Sequence, residues 1–184
     1  MDTPDTAAEI PATMGNGPLR AVWLDGRDPG ALRADILRAF HATFDRHESL
    51  FELLRNDAAW RVKPITQRHP LIFYFGHTAA FFINKLILAE LIRQRIDPAF
   101  ESLFAVGVDE MSWDDLDDIH YDWPTPQAVR AYRDRVREVV DGLIRGLPLE
   151  APIAWDSPWW VILMGIEHLR AGGPSHDAWP GPGR

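Results

Sequence analysis

The sequence predicts an all-α fold: a four-helix bundle with a long acidic connection between its second and third helices and a shortened fourth helix. Three observations predict it. Apolar residues recur at three- and four-residue steps in four separate segments, the spacing that lines one face of a helix. Three of these segments open on a capping residue followed by proline, Asp28-Pro29, Thr125-Pro126 and Ser157-Pro158. No segment alternates with the two-residue period of a strand over a useful length, Leu103 to Val108 being the nearest approach. At 184 residues, 46% apolar and 25% charged, the chain has the size and composition of one domain with a buried core.

Residues 1–22 are rich in Ala, Thr, Pro and Gly without periodicity and read as a flexible leader. The first helix starts at Pro29 behind the Asp28 cap. Ile36, Phe40, Phe44, His47, Phe51 and Leu54 form its apolar stripe, to about Arg55. The second helix, roughly Leu71 to Arg95, is apolar nearly all round, which marks either a buried central helix or a membrane span. The uncharged run from Pro70 to Asn84 is only 15 residues and is followed at once by Lys85 and Glu90. Crossing a bilayer takes about 20 apolar residues, so the buried helix is the better reading. The third helix follows Thr125, with Val129, Tyr132, Val136, Val139, Val140, Leu143 and Leu147 on its inner face. Arg130, Arg133, Asp134, Arg137, Glu138 and Asp141 fall to its outer side. Asp156 or Ser157 with Pro158 opens the fourth helix, through Trp159, Val161, Ile162, Met164, Ile166 and His168. Of the 14 residues from Ala171 to Arg184, seven are Gly or Pro, which ends any helix near Arg170. The bundle is thus expected over residues 23–170, with a disordered tail over 171–184.

Composition excludes several function classes. The chain has no Cys, so disulfides, thiolate metal sites and cysteine nucleophiles are absent. Its net charge of −8 argues against a large nucleic-acid footprint. That charge is local: nine acidic residues and no Lys or Arg lie between Ile96 and Val129, among them Asp97, Glu101 and Asp114-Asp115-Leu116-Asp117-Asp118. The run lacks the Gly turn and distal Glu of a calcium loop and reads as a solvated connection. No secretory signal opens the chain, and a cytoplasmic location is expected.

Histidines are the chemistry left. A helical bundle builds sites from side chains projecting inward from facing helices. His77 lies within the apolar second helix and His168 near the end of the fourth. Each is either a metal ligand or a hydrogen-bonded core histidine, since an unpaired buried imidazole costs of order 1–3 kcal/mol. His47, on the first stripe, reads as structural; His41, His69 and His120 read as surface or junction residues. No Ser–His–carboxylate grouping and no phosphate-binding glycine loop is present.

The run His69-Pro70-Leu71-Ile72-Phe73-Tyr74-Phe75-Gly76-His77-Thr78-Ala79-Ala80-Phe81-Phe82-Ile83-Asn84-Lys85-Leu86 carries a resemblance. So do Phe104-Ala105-Val106-Gly107-Val108-Asp109-Glu110-Met111-Ser112-Trp113-Asp114-Asp115-Leu116, Val129-Arg130-Ala131-Tyr132-Arg133 and Trp155-Asp156-Ser157-Pro158-Trp159-Trp160 through Glu167-His168. Together they resemble the amino-terminal DinB-like domain of the ovothiol-pathway 5-histidylcysteine sulfoxide synthases, relatives of the ergothioneine-pathway enzymes. The likeness extends from about Trp23 to His168.

The resemblance implies a non-haem iron oxidoreductase that joins the sulfur of cysteine to the imidazole of histidine with dioxygen. It implies Fe(II) held by three histidines, one in a Gly-His-Thr segment and two in a His-x-x-x-His-x-Glu motif. His77 matches the first and His168 the second. The third position is Gly172 and the Glu position Pro174, with His176 as a distant substitute. The family's catalytic domain, which follows the bundle, is not matched either. The expectation is therefore a truncated or frameshifted copy, inactive alone, with no nucleic-acid or membrane partner. The alternatives are a non-catalytic helical interaction module and a stand-alone DinB-type metalloprotein or thiol transferase. A short fourth helix is further expected to leave Phe and Leu of the second uncovered and to promote self-association.

Overall fold

Capping residues and apolar stripes become six helices in the computed structural model, which describes residues 22–24, 28–63, 65, 68–106 and 121–172. These are α1 (Pro29–Phe51), α2 (Asp57–Arg61), α3 (Leu71–Leu88), α4 (Pro98–Leu103), α5 (Pro126–Gly146) and α6 (Trp159–Arg170). Among the described residues there is no strand, and Leu103 closes α4 rather than opening an extended segment. Residues 109–118, which hold most of the acidic run, lie outside the described residues, as do His120, His176 and most of the expected leader and tail.

The caps work as their chemistry requires, each giving an otherwise orphaned N–H of the first turn an oxygen to donate to. The Asp28 carboxylate accepts from the Ala31 N–H at 2.8 Å and the Thr125 hydroxyl from Ala128 at 3.2 Å. Asn56 and Asp97 do the same for the two short helices, α2 and α4, which periodicity had not marked. At α6 the cap differs: Pro158 precedes the helix, and the Ser157 hydroxyl accepts from Trp159.

Two helices end earlier than their stripes. The first stops at Phe51 and not Arg55. The second stops at Leu88 rather than Arg95, because Glu90 takes a left-handed conformation, φ 57°. The Leu91 N–H then returns to the Leu86 carbonyl and the Glu90 N–H to that of Ile87, a closing motif usually built on glycine. By length and composition α3 could cross a membrane, yet 67% of it is buried inside the protein. It is the central helix, packed against α4, α5 and α6.

Side-chain pairs fix the directions of the long helices. Arg33 lies over Trp159 while Phe40 meets Phe82, and Phe82 in turn lies against Gly165, so α1 and α6 run the same way. Arg33 reaches the Ile144 carbonyl, His41 meets Asp141, and Glu48 meets Arg133, so α1 and α5 are antiparallel. Phe51 meets Phe75 while Phe40 meets Phe82, so α3 also runs opposite to α1, and the long second connection joins opposite ends of α3 and α5. Phe40, Phe44, Phe75, Phe82, Tyr132, Val136, Trp159 and Ile162 form the centre of the core.

Three residues read from sequence as exposed are buried. Arg133 is completely inside. Glu101 is 1% exposed and turns back to accept from the Ile96 and Asp97 N–H groups and from Arg95. His69 is buried against Phe73. On α3 the phenylalanines are all covered, and Leu88 is its one large apolar side chain left exposed.

Candidate metal centre

The site begins with a glycine. A Cβ at Gly76 would stand 2.4 Å from the Phe104 ring, so only glycine lets that ring lie against α3. The Phe104 carbonyl is thereby brought to 2.7 Å from Nδ1 of His77, the next residue. A carbonyl can only accept, so Nδ1 carries the proton, and the lone pair of a neutral ring is left on Nε2.

Nε2 of His77 faces α6. There, Nε2 of His168 lies 3.1 Å away, from a residue 91 positions later. The His168 ring stacks on Phe81 with centroids 3.8 Å apart, and the His77 ring is parallel to Phe73 at 5.2 Å. Phe73, His77 and Phe81 follow at four-residue steps, so one face of α3 supplies the imidazole and an aromatic wall on either side. Burial first, then electrostatic interaction with His77 and Lys85, pulls the His168 pKa down to about 3. The ring is neutral at physiological pH, the form that binds metals.

Two arrangements produce such a contact. In one, His168 donates an N–H to His77. In the other, both nitrogens face one metal ion. With metal–nitrogen bonds of about 2.1 Å at right angles, the nitrogens would stand about 3.0 Å apart. The spacing therefore fits two adjacent ligands of one ion, and the Phe104 carbonyl is the outer-shell partner that orients metal-binding histidines. The donor set of neutral imidazoles suits iron, cobalt or zinc. Among the described residues no third His, Cys, Asp or Glu is already gathered with them.

The other described histidines differ in their bonding. His69 has Nε2 3.1 Å from the Val106 carbonyl, and burial lowers its pKa. His41 lies in the α1–α5 seam, accepting from Arg137 at Nδ1 and giving Nε2–H to Asp141. His47 is buried with no protein partner at either ring nitrogen. Its pKa falls to about 3, through burial first and then Arg133 and His168.

Periodicity missed Arg133. Its Nε donates to Glu48, its Nη1 to the Phe75 carbonyl and the Thr78 hydroxyl, and the guanidinium is flanked by Phe44 and Phe75 at 4.6 Å. Burial lowers its pKa to about 10, against the opposing pull of Glu48, so it stays charged. Positions 129, 133, 136 and 140 form one helical stripe, and that register was the available signal.

The family profile of the DinB superfamily matches residues 39–171. No curated protein matches the chain.

Proposed function

We propose, from the premise that the chain belongs to the DinB superfamily, that it is the metal-binding helical domain of an ovothiol-type sulfoxide synthase, with His77 and His168 holding Fe(II) between α3 and α6. The observation that carries this reading is the meeting of two histidines, 91 residues apart, with their Nε2 atoms 3.1 Å apart. Both occupy the positions at which the resembling sulfoxide synthases place iron ligands.

Iron held by His77 and His168 would supply Lewis-acid and redox chemistry for a thiol and dioxygen. The chain's own residues do the rest. The Phe104 carbonyl holds the proton of His77 on Nδ1 and keeps Nε2 directed at the ion. Phe73 and Phe81 wall the pair on α3 and limit water. Cysteine, histidine and dioxygen are the substrates of this reading. In the resembling family a catalytic domain accompanies the bundle and takes part in the chemistry on them.

Anaerobic equilibrium dialysis against Fe(II) tests the proposal. Near-stoichiometric binding, lost in His77→Ala and in His168→Ala, is the expected result; no binding by the unaltered chain refutes it. One observation favours a second reading, a helical interaction module with a purely structural histidine pair: no third ligand is gathered among the described residues. Absence of binding together with a fall in stability on His168→Ala would select that reading.

A further inference from the structure

His47 is chemically unlike the interior histidines around it. His69 and His77 each bond a backbone carbonyl, whereas both nitrogens of His47 are buried, at 3% residue exposure, without a protein partner. A neutral imidazole carries one N–H and one lone pair, so two polar groups are stranded in an aromatic interior beside Phe51. Such an arrangement is costly for the fold, and a buried polar group left unpaired calls for an explanation, such as a bound ion.

Its position bears on the histidine pair. α1 and α6 run the same way from a shared end, where Arg33 lies over Trp159. His47 is about 21 Å along α1 from Arg33, and His168 about 14 Å along α6 from Trp159, at 1.5 Å rise per residue. His47 therefore stands about 7 Å beyond His168 along the shared direction, roughly one helical turn. The resemblance implies a third histidine four residues after His168, where this chain has Gly172. Its neighbour Glu48 holds Arg133, which in turn bonds the Phe75 carbonyl and the Thr78 hydroxyl on either side of His77. The turn of α1 that carries His47 and Glu48 is thus tied to the level of His77 on α3.

We propose that His47 is the third nitrogen ligand of the ion held by His77 and His168, supplied by α1 in place of the residue missing from α6. The inference rests on the metal-binding reading above and extends it to a site of three histidines from three helices, selective for a divalent transition metal. The electrostatic influence of His168 on His47 agrees with that proximity. The three groups are not gathered at one point among the described residues. Ligation requires the His47 ring to turn about its side-chain torsions, which breaks no hydrogen bond because the ring makes none.

Co(II) is the probe, titrated into the full chain and followed by its visible absorption. His47→Leu should weaken Co(II) binding about tenfold or more and alter the spectrum, while raising the melting temperature in chelator by removing the stranded polar groups. Unchanged affinity and spectrum in His47→Leu, with binding lost in His77→Ala, would overturn the role of His47 and leave the pair intact. No Co(II) binding by the unaltered chain would overturn both. Independently of any variant's folding, pulsed electron paramagnetic resonance of the Cu(II)-loaded chain should count three coordinated imidazoles; a count of two refutes the inference.

Discussion

Replacing Gly76 by alanine adds one methyl group beside His77, and its cost can be worked from the packing. The new Cβ would lie 2.4 to 2.5 Å from three atoms of the Phe104 ring, about 1 Å inside ordinary contact. Phe104 is completely buried and hemmed by Phe73, Phe100 and Trp123, so the ring has no open side to retreat to. Overpacking of this kind costs about 1–3 kcal/mol, which exceeds the gain of up to about 1 kcal/mol from replacing a helical glycine. The melting temperature should fall by about 2 to 8 °C. Gly142 in α5 is the internal control, because a Cβ there meets nothing within 4 Å. Gly142→Ala should therefore stabilise by about 0.5–1 kcal/mol. Displacing Phe104 also moves the carbonyl that orients His77, so Fe(II) affinity in Gly76→Ala should fall about 10- to 100-fold. Differential scanning calorimetry and dialysis read the two effects. If Gly76→Ala melts at or above the unaltered protein, as Gly142→Ala is expected to, the reasoning from the Phe104 contact is wrong.

Other residues give independent tests. Arg133→Ala strands the Glu48 carboxylate, the Phe75 carbonyl and the Thr78 hydroxyl and should cost about 3–5 kcal/mol in urea unfolding; a loss below about 1 kcal/mol would contradict its role. Arg170→Ala, which removes an exposed pair with Glu167, should change stability by less than about 1 kcal/mol, and a larger loss would contradict the assignment. With metal chelated, His47 and His168 titrate near 6.5 in the unfolded chain but near 3 in the folded one. The folded state binds fewer protons, so their contribution is full above pH 6.5 and is lost as pH falls towards 3. Each adds a slope approaching about 1.4 kcal/mol per pH unit within that window. The urea midpoint should be lower at pH 5 than at pH 7, and equal midpoints would show that neither ring is held neutral.

Local chemistry made much of this legible. Asp28 and Thr125 cap the helices their sequence announces, and the apolar character of Leu71–Leu88 places it at the centre. His77 and His168 were singled out by motif, and the structure brings them together. What escaped depends on partners distant in sequence. Arg133 is held inside by Glu48, 85 residues away, and no helical period encodes that pairing. Glu101 looked like one more charge in an acidic run, yet neighbouring backbone N–H groups and Arg95 bury it. The end of α3 turns on a left-handed Glu90, a conformation that a sequence reader expects of glycine. His47 lay on the right stripe, but its lack of protein partners is a property of the packed interior alone.

The most direct test of the metal-binding account is a crystal structure of the chain soaked with Co(II), with diffraction recorded at the cobalt absorption edge. One anomalous peak is expected between α3 and α6, about 2.1 Å from Nε2 of both His77 and His168. A map with no peak there, and the two nitrogens still in direct 3.1 Å contact, would contradict it.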